Sequence, residues 1–477
     1  MSGTVPYLLL MTVLPLAGML FAFTAKDTGK ASGQNVLHVT ILTLVANLLL
    51  IFRAFTLIKP GYGNLQLTER YMWLENPHIE LVFGADSFAL LLIMGVYLAA
   101  LVGLWGVKGR AEGQKPRMIF MLMFLSSVTG FFVSADIFSF FIFFLVMLLP
   151  LFMLVGMFGD IRKQGSVFRF MLYNLFGAML LFAAIIVLYS HQNSSIMLGA
   201  VSRVKMSGLG ALWVWLAIFA AFLSRIPIWP FHYWIASVNA GVKDPLAFIA
   251  ANIMPLTGIY GFMRFWPKEV PEAVMYFMSA LEAVSAVSML VLALIGLINR
   301  DMNYKIFVFV TVYYVFFMLG VFLPTDEMLL NVGFSLFAFL LIFAVVAVLT
   351  AYVENEQESK NLSSAGILCS MPRLSAVFTF VMLAGAGLPL TAMFVNNFVI
   401  TAALLSYNPV TALTAVTALL LTAAAMLREL YQRKDAAGLT GDKDKATDIS
   451  RGDAVFFFGA AVILVLSFFN PLWFLRG

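Results

Sequence analysis

Residues 224–236 read SRIPIWPFHYWIA and close a long run of apolar residues. The stretch contains two ionisable residues and two prolines that would interrupt a helix, in a part of the chain that is otherwise apolar: Arg225, His232, Pro227 and Pro230. A bilayer tolerates neither charge nor interrupted backbone unless other protein groups or a water-filled cavity satisfy them. The stretch therefore predicts a transmembrane helix that is broken at its prolines and carries polar groups with a role in function or folding.

The composition of the whole chain agrees with a membrane location. The 477 residues are 62% hydrophobic and 11% charged, with a mean hydropathy of +0.97. Soluble domains carry about 25% charged residues. We attribute the net charge of +5 to cytoplasmic loops rather than to nucleic-acid binding. The single cysteine, Cys369, excludes an intrachain disulfide and a cysteine-based metal site.

Apolar runs long enough to cross a bilayer recur along the chain and predict an all-α membrane protein with one polytopic domain over residues 1–477. The first run lacks a basic leader and a small-residue cleavage site, so 5–23 is expected to be a retained helix rather than a signal peptide. Longer connections are predicted at 58–86, 353–373 and 428–453, the last as a flexible charged loop. Fourteen transmembrane helices are predicted, near 4–24, 35–57, 87–107, 117–135, 137–158, 168–190, 209–232, 245–265, 273–298, 305–323, 328–352, 374–405, 409–427 and 454–475.

The distribution of positive charge predicts the orientation of these spans. Lysine and arginine are concentrated in the odd-numbered connections. The positive-inside rule then places those connections in the cytoplasm and both termini on the opposite, non-cytoplasmic side.

Two predicted spans are interrupted by proline in similar ways, which suggests an internal repeat. Span 7 holds Pro227 and Pro230, and span 12 holds Pro389 within AGAGLPLTAMF. Because they lie five spans apart, we predict two inverted five-helix repeats, spans 4–8 at about 117–265 and spans 9–13 at about 273–427. Matched broken helices are typical of an ion path. Prolines are also common in membrane helices, where neighbouring groups satisfy the freed carbonyls, and both interpretations stay open at this point.

Six stretches together resemble a known family. They are SRIPIWPFHYWIA (224–236), GIYGFMRF (258–265), NRDMNYKIFVF (299–309), FRFMLYNLFGAMLL (168–181), MPRLSAVFTFVMLAGAGLPLTAMFVNNFVI (371–400) and MWLENPHIELVFGADSFALLL (72–92). They resemble, in register, the antiporter-like membrane subunits of respiratory complex I, the NADH–quinone oxidoreductase. The chain-M type, called chain 4 in mitochondria, is the nearest, and the Mrp-type cation/proton antiporters share its fold.

The resemblance implies a proton route of ionisable groups at mid-membrane, but the matching positions in this chain are changed. Leu145, five residues before Pro150, takes the place of the helix 5 glutamate, and Leu256 takes that of the helix 8 lysine. Arginine replaces lysine in helices 6 and 7, at Arg169 and Arg225.

The second half of the implied route is changed as well. The helix 10 histidine falls on Tyr313, the helix 11 histidine on Val332, and the helix 12 lysine or glutamate on Asn397. A relay group must gain and lose a proton, which a buried lysine can do but a guanidinium, held protonated in proteins, cannot. Tyr313 and Asn397 can still hydrogen-bond water. We therefore predict that this route no longer conducts protons as in the relatives.

The remaining ionisable groups leave several interpretations open. Arg225 is either functional or a fixed charge bound by carbonyls of the broken helix, and Arg169 is expected to reach the cytoplasmic boundary. Glu282, inside predicted span 9, is protonated, paired with an arginine, part of a relocated proton step, or near the interface if the helix begins later. His232 either caps the broken helix or titrates near neutral pH.

The sequence contains no GxGxxG, P-loop or CxxC motif, so no cofactor is expected and redox chemistry would belong to partner subunits. The first hypothesis is a subunit of an NADH–quinone oxidoreductase-type complex in a bacterial or organellar inner membrane. Its role would be structural or coupling, beside other membrane subunits of a complex I-like or Mrp-like assembly. The second is a working cation/proton antiporter or pump with a displaced path through Glu282, His232 and Arg225. The third is a stand-alone scaffold with the same fold.

Overall fold

The fold is that of a multi-spanning helical membrane protein. In this computed structural model, eleven described helical segments are long and apolar enough to cross a membrane, and three shorter apolar helices belong to the spans that are broken. This confirms the predicted all-α membrane architecture. The structure describes residues 5–25, 32–59, 65–75, 79–107, 113–159, 164–192, 196–203, 206, 208–229, 231–232, 244–265, 272–299, 302–323, 325–360, 367–368, 370–437, 450, 452–453, 456–457 and 459.

The described elements are fifteen α-helices, one β-hairpin and a short 3₁₀ helix. The helices are α1 (Tyr7–Thr24), α2 (Ser32–Phe55), α3 (Ser87–Gly106), α4 (Gln114–Val133), α5 (Ile137–Val146), α6 (Leu148–Phe158), α7 (Gln164–Gln192), α8 (Gly208–Leu223), α9 (Pro245–Phe265), α10 (Glu272–Ile298), α11 (Met302–Val321), α12 (Asp326–Lys360), α13 (Pro372–Gly385), α14 (Ala392–Tyr407) and α15 (Pro409–Ala437). The strands are β1 (Leu67–Leu74) and β2 (Ile79–Ala85), and the 3₁₀ helix is Leu198–Arg203.

Most helix ends fall within a few residues of the ends of the predicted spans. Two helices, α12 and α15, continue well beyond the predicted ends, for the same reason. Helix α12 continues to Lys360 and α15 to Ala437, so part of the predicted flexible loop at 428–453 is helical. An apolar run marks the part of a helix that lies in hydrocarbon, and a helix can continue into water on charged residues. The predicted span at 454–475 lies largely outside the described residues.

The connection predicted at 58–86 contains an antiparallel β-hairpin that the sequence analysis did not anticipate. Strand β1 pairs with β2 along its length, with an irregularity near Met72. The carboxylate of Glu69 in β1 accepts hydrogen bonds from the backbone N–H of Leu8 (2.9 Å) and Leu9 (3.0 Å), at the start of α1. A helix N-terminus carries partial positive charge and unpaired N–H groups, so this carboxylate anchors the hairpin to α1.

A buried aspartate links the same hairpin to α5. Asp136, just before α5, accepts hydrogen bonds from the backbone N–H of Phe138 (2.8 Å) and Ser139 (2.9 Å) and from that of Val82 in β2 (2.7 Å). Burial raises the pKa of the Asp136 carboxyl, and the hydrogen bonds from Ser139 and the backbone oppose that rise. The aspartate thus serves as the N-cap of α5 and as the partner of the second strand.

Both predicted helix breaks are present. Helix α8 ends at Leu223, and the chain then leaves the helix through Ser224–Ile226 towards Pro227, whose ring and missing N–H prevent continuation. Pro230 lies outside the described residues. The second break separates α13 from α14, where Pro389 is exposed and both Gly387 (φ 90°) and Leu390 (φ 73°) adopt left-handed backbone.

A third interruption falls inside the predicted span 137–158. Helix α5 ends at Val146 and α6 begins at Leu148. Pro150 lies in the first turn of α6, where a proline is tolerated because its missing N–H would have no intrahelical partner. Met147 between them keeps α-helical dihedral angles (φ −64°, ψ −18°), and its N–H donates to the carbonyl of Phe143 (3.3 Å). The irregularity is therefore local, and it lies beside the candidate site.

The centre of the protein is formed by α9, α11 and α12, which are almost entirely buried. Helix α3 packs along α12, while α1, α2, α7, α10 and α15 present long apolar faces to the outside. The two inverted repeats, at about 117–265 and 273–427, stay a prediction.

Candidate functional site around Arg225

Arg225 is fully buried just beyond the end of α8, and three groups from two other helices bind its guanidinium. Nη1 donates to the hydroxyl Oγ1 of Thr257 in α9 (2.9 Å) and to the sulfur of Met147 between α5 and α6 (3.1 Å). Nη2 donates to the backbone carbonyl of Phe144 in α5. The carbonyl that binds this arginine therefore comes from the end of α5 and not from the α8 break.

Aromatic faces cover the same guanidinium. Its central carbon lies 3.2 Å from the ring centroid of Phe144 and 5.9 Å from that of Phe131 in α4. A cation over an aromatic face is attracted by the ring quadrupole, more strongly when both are desolvated. We call the group formed by Phe131, Phe144, Met147 and Thr257 the Arg225 cage.

The cage supplies partial charges rather than an ionised partner. The carbonyl of Phe144 lies in the last turn of α5, and its oxygen carries the partial negative charge of a peptide group. Among the described residues that contact the guanidinium none is a carboxylate, and Nε has no hydrogen-bond partner. The positive charge is therefore balanced by one carbonyl, one hydroxyl, one sulfur atom and two ring faces.

Two positions that the family resemblance singled out adjoin the cage. Leu145 follows Phe144 in the last turn of α5, and Leu256 precedes Thr257 in α9. Leu256 is fully buried in the hydrophobic core, and Leu145 is partly buried and packs against that core. Both positions are thus next in sequence to a residue that binds Arg225, and both carry aliphatic side chains.

The second half of the implied route contains neutral groups in an aromatic cluster. Nδ2 of Asn397 in α14 lies 3.4 Å from the hydroxyl of Tyr313 in α11, and its Oδ1 is buried without a described partner. The ring of Tyr313 packs against Phe309, Phe317 and Phe339. Phe339 of α12 belongs to this cluster. Val332, the position in the same helix that corresponds to the relatives' helix 11 histidine, lies against Gly320 of α11 and not in the cluster.

Glu282 forms a separate polar site on α10. Its side chain is 4% exposed, and its Oε1 accepts hydrogen bonds from Thr411 Oγ1 (2.6 Å) and Asn408 Nδ2 (3.0 Å). Asn408 joins α14 to α15, so Glu282 lies level with a connection between helices rather than with the centre of the bundle. These partners and those of Arg225 have no residue in common, and the structure does not bring the two groups together.

The structure places the other two predicted ionisable residues outside the cage. Arg169 is exposed near the start of α7. His232 is half-buried, and its Nδ1 has no hydrogen-bond partner among the described residues. Residues 233–243, which follow it, lie outside the described part of the chain. The roles predicted for both residues stay predictions.

Two buried ion pairs at the ends of α9 were not predicted from the sequence. At one end, Arg264 donates to both carboxylate oxygens of Asp86 (2.9 and 2.5 Å). At the other, Arg117 Nε lies 2.8 Å from Oδ2 of Asp244. Each aspartate also caps a helix, which an aspartate immediately before an apolar run could have indicated. Within the described residues, no group of three His, Cys, Asp or Glu side chains could hold a metal ion.

Comparison with known proteins gives the family. A family model described as "NADH:quinone oxidoreductase/Mrp antiporter, TM" matches residues 134–422. NADH-quinone oxidoreductase subunit M of Rhodobacter capsulatus is 25% identical in an alignment of 488 positions, gaps included, that covers 97% of this chain and 93% of that protein. NADH-ubiquinone oxidoreductase chain 4 of Marchantia polymorpha is 25% identical over 430 residues, or 89% of this chain and 85% of that protein.

Solved structures show the same fold at lower identity. A chain of respiratory complex I from Thermus thermophilus with bound NADH superposes with a TM-score of 0.85 at 20% identity, covering 98% of this chain and 97% of that one. A chain of the Mrp complex from Dietzia sp. DQ12-45-1b superposes with a TM-score of 0.76 at 16% identity, covering 98% and 96%. Since the family model spans more than half of the sequence, the chain belongs to the transmembrane family of NADH:quinone oxidoreductase and Mrp antiporter subunits.

Proposed function

We propose that this chain is a membrane subunit of an NADH–quinone oxidoreductase-type complex in a bacterial or organellar inner membrane, with the proton route of its relatives closed. Its role is structural or coupling: it fills a place beside other membrane subunits and transmits conformational or electrostatic changes between them. The Arg225 cage is the observation that supports this proposal most strongly.

The chemistry of the cage opposes proton transfer. A guanidinium remains protonated in proteins, so Arg225 has no accessible neutral form with which to accept a proton. Its described partners are a hydroxyl, a thioether, a backbone carbonyl and two rings, and none of them titrates near neutral pH. Leu145 and Leu256, next in sequence to Phe144 and Thr257, have aliphatic side chains that cannot accept or supply the proton either.

The place of the chain in an assembly is inferred from its relatives and its surface. The relatives are subunits of NADH–quinone oxidoreductases, and the solved neighbours belong to complexes. Exposed aliphatic and aromatic side chains on the outer faces of α7 and α10 suit contact with lipid or with another membrane subunit. Both termini are proposed to face the non-cytoplasmic side, because the positive charge is concentrated in the odd-numbered connections.

Purification from native membranes tests the assembly. The tagged full chain, extracted in mild detergent, is expected to bring down other membrane subunits together with peripheral redox subunits of the oxidoreductase type. Recovery with cation/proton antiporter subunits alone would instead favour an Mrp-like assembly. Recovery of the chain by itself from membranes that hold the intact oxidoreductase would favour the stand-alone scaffold and contradict the proposal.

A displaced path through Glu282 is the second candidate function, and one observation favours it. Glu282, Ser285 and Ser288 follow each other at three-residue spacing on one buried face of α10. Ser288 Oγ accepts a hydrogen bond from the backbone N–H of Trp229 (3.0 Å), in the segment that follows the α8 break. A row of polar groups thus extends from the α14–α15 connection to the broken helix that contains Arg225 and precedes His232.

A pair of variants separates this path from a structural role of Glu282. Glu282→Gln removes the titratable group, whereas Thr411→Val removes one hydrogen-bond donor and leaves the carboxyl in place. The displaced path requires proton flux that Glu282→Gln abolishes and Thr411→Val retains, in protein that is folded and assembled. Flux at the protein-free background in the wild type would exclude the path.

A further inference from the structure

Helix α9 is fixed at both of its ends by buried ion pairs, which are about 30 Å apart for a helix of this length. At its beginning, Asp244 pairs with Arg117 of α4, and the two side chains are 3% and 6% exposed. Near its end, Arg264 pairs with Asp86, at 8% and 0% exposed. Buried charges of this kind are costly unless they are paired, so each pair favours one position of the helix end. Arg264 and Asp86 share two hydrogen bonds, whereas the 2.8 Å contact between Arg117 Nε and Asp244 Oδ2 is a charge contact without hydrogen-bond geometry, so the Asp86–Arg264 pair is the stronger restraint.

Further hydrogen bonds strengthen the pair near the end of α9. Arg264 Nε donates to the hydroxyl of Tyr260 (2.7 Å), and that hydroxyl donates to the backbone carbonyl of Phe132 in α4 (2.7 Å). Asp86 also accepts from the backbone N–H of Ala89, and so joins the network to the first turn of α3. One network thus fixes α9 to both α3 and α4.

The face of α9 that lies between these pairs packs against the segment that holds Arg225. Thr257 accepts the hydrogen bond from Arg225, and a Cβ at Gly258 would come within 3.1 Å of Arg225 Cβ and 2.9 Å of the carbonyl oxygen of Phe222. A Cβ at Gly261 would lie 2.5 Å from the Phe222 ring. Because α9 packs directly on this segment, a displacement of α9 away from it would lengthen the 2.9 Å hydrogen bond between Arg225 and Thr257.

We propose that the Asp86–Arg264 and Arg117–Asp244 pairs act as positioning groups that hold α9 against the α8 break and keep the Arg225 cage closed. Neither pair contacts Arg225 directly in the hydrogen bonds and ion pairs described above. Their effect on the cage passes through the rigid helix between them. The proposal concerns how the cage is held and applies whether or not the chain conducts protons.

Chemical modification of arginine in the full-length protein tests the proposal with a readout at Arg225, far from the changed residues. Phenylglyoxal reacts with accessible guanidinium groups, and peptide mass spectrometry gives the rate at each site. In the wild type, Arg225 is expected to remain protected while the exposed Arg53 reacts. Arg264→Met is expected to raise the rate at Arg225 about tenfold or more, since breaking one partner of a buried pair permits local opening.

Two further variants make the result specific. Glu69→Gln weakens the anchor of α1 without touching α9, so it should lower stability while Arg225 stays protected. Arg264→Lys keeps the charge but loses the bidentate hydrogen bonding to Asp86. It should give a modification rate at Arg225 between those of the wild type and Arg264→Met. Full protection of Arg225 in folded Arg264→Met would overturn the proposal.

If Arg264→Met does not fold, the modification rate of Arg225 in Arg264→Lys tests the proposal, and full protection there would overturn it. If neither folds, hydrogen exchange of the wild type decides. The proposal then requires the amides at both ends of α9 to exchange among the slowest in the protein. Ends of α9 that exchange faster than the ends of α11, which is equally central, would contradict it.

Discussion

Substitution of Thr257 measures how strongly the buried guanidinium of Arg225 depends on its acceptors. Thr257→Val leaves a side chain of nearly the same shape but removes the oxygen that lies 2.9 Å from Arg225 Nη1. A hydrogen bond to a charged group contributes about 1.5–3 kcal/mol, and a buried donor left without a partner adds to the loss. We expect the free energy of unfolding to fall by about 2 kcal/mol, which is roughly a 30-fold change in the equilibrium constant.

A double-mutant cycle assigns this loss to the arginine. In an Arg225→Met background the valine removes no partner of a charge, so Thr257→Val should cost less than about 0.5 kcal/mol there. Thr422→Val is the matched control: Thr422 is equally buried, but its hydroxyl donates only to the carbonyl of Ala418 in its own helix, among the hydrogen bonds of the described residues. Reversible unfolding in bicelles, followed for the four proteins of the cycle and the control, gives the coupling energy.

The result that would refute the reasoning is a small coupling. If Thr257→Val costs as much in the Arg225→Met background as in the wild type, the hydroxyl does not stabilise the guanidinium. If Thr422→Val costs as much as Thr257→Val, the loss comes from burial of a threonine rather than from the cage. Either outcome would remove the energetic basis for treating Arg225 as a charge fixed by its neighbours.

Further substitutions test other parts of the account. Arg225→Ala should impair assembly more than it changes proton flux, because it empties a buried cage, and preserved assembly in native gels would contradict this. Arg225→Lys should leave proton flux in vesicles at background, since a titratable cation still lacks partners at Leu145 and Leu256; flux above background would contradict it. Glu69→Gln should lower the unfolding free energy by about 1 kcal/mol, because the N-terminus of α1 loses the carboxylate charge of Glu69. An unchanged unfolding midpoint would count against a role of Glu69 in holding the hairpin to α1.

The two predicted helix breaks could be recognised in the sequence because proline disrupts the helix at its own position. A proline lacks an N–H and clashes with the preceding turn, so Pro227 and Pro389 indicate interruption wherever they stand inside a span. The local irregularity at Met147 was not predicted, because Pro150 lies in the first turn of α6 and the apolar run continues through it without a change of composition. Hydropathy records burial in hydrocarbon and is insensitive to such a break.

The partners of the candidate site could not be predicted because they are distant in sequence. Arg225 binds Met147, between α5 and α6, and Phe144 of α5, which lie 78 and 81 residues away, and Asp86 and Arg264 are 178 residues apart. Periodicity and capping patterns report on neighbours within a turn or two, so they indicated Arg225 but not its cage. The resemblance located Leu145 and Leu256, while the acceptors beside them, Phe144 and Thr257, became evident only from the packed helices.

Proton flux through the full chain in sealed vesicles tests the central claim most directly. The protein is reconstituted with a pH-sensitive dye inside, and a potassium diffusion potential drives protons inward, with an uncoupler added last to show that the driving force was present. If the route is closed, protons are expected to enter at the rate of protein-free vesicles. Faster entry that Arg225→Ala abolishes, in a variant that remains folded, would contradict the claim that the route of the relatives is closed. Faster entry that Glu282→Gln abolishes would contradict the claim that no other route replaces it.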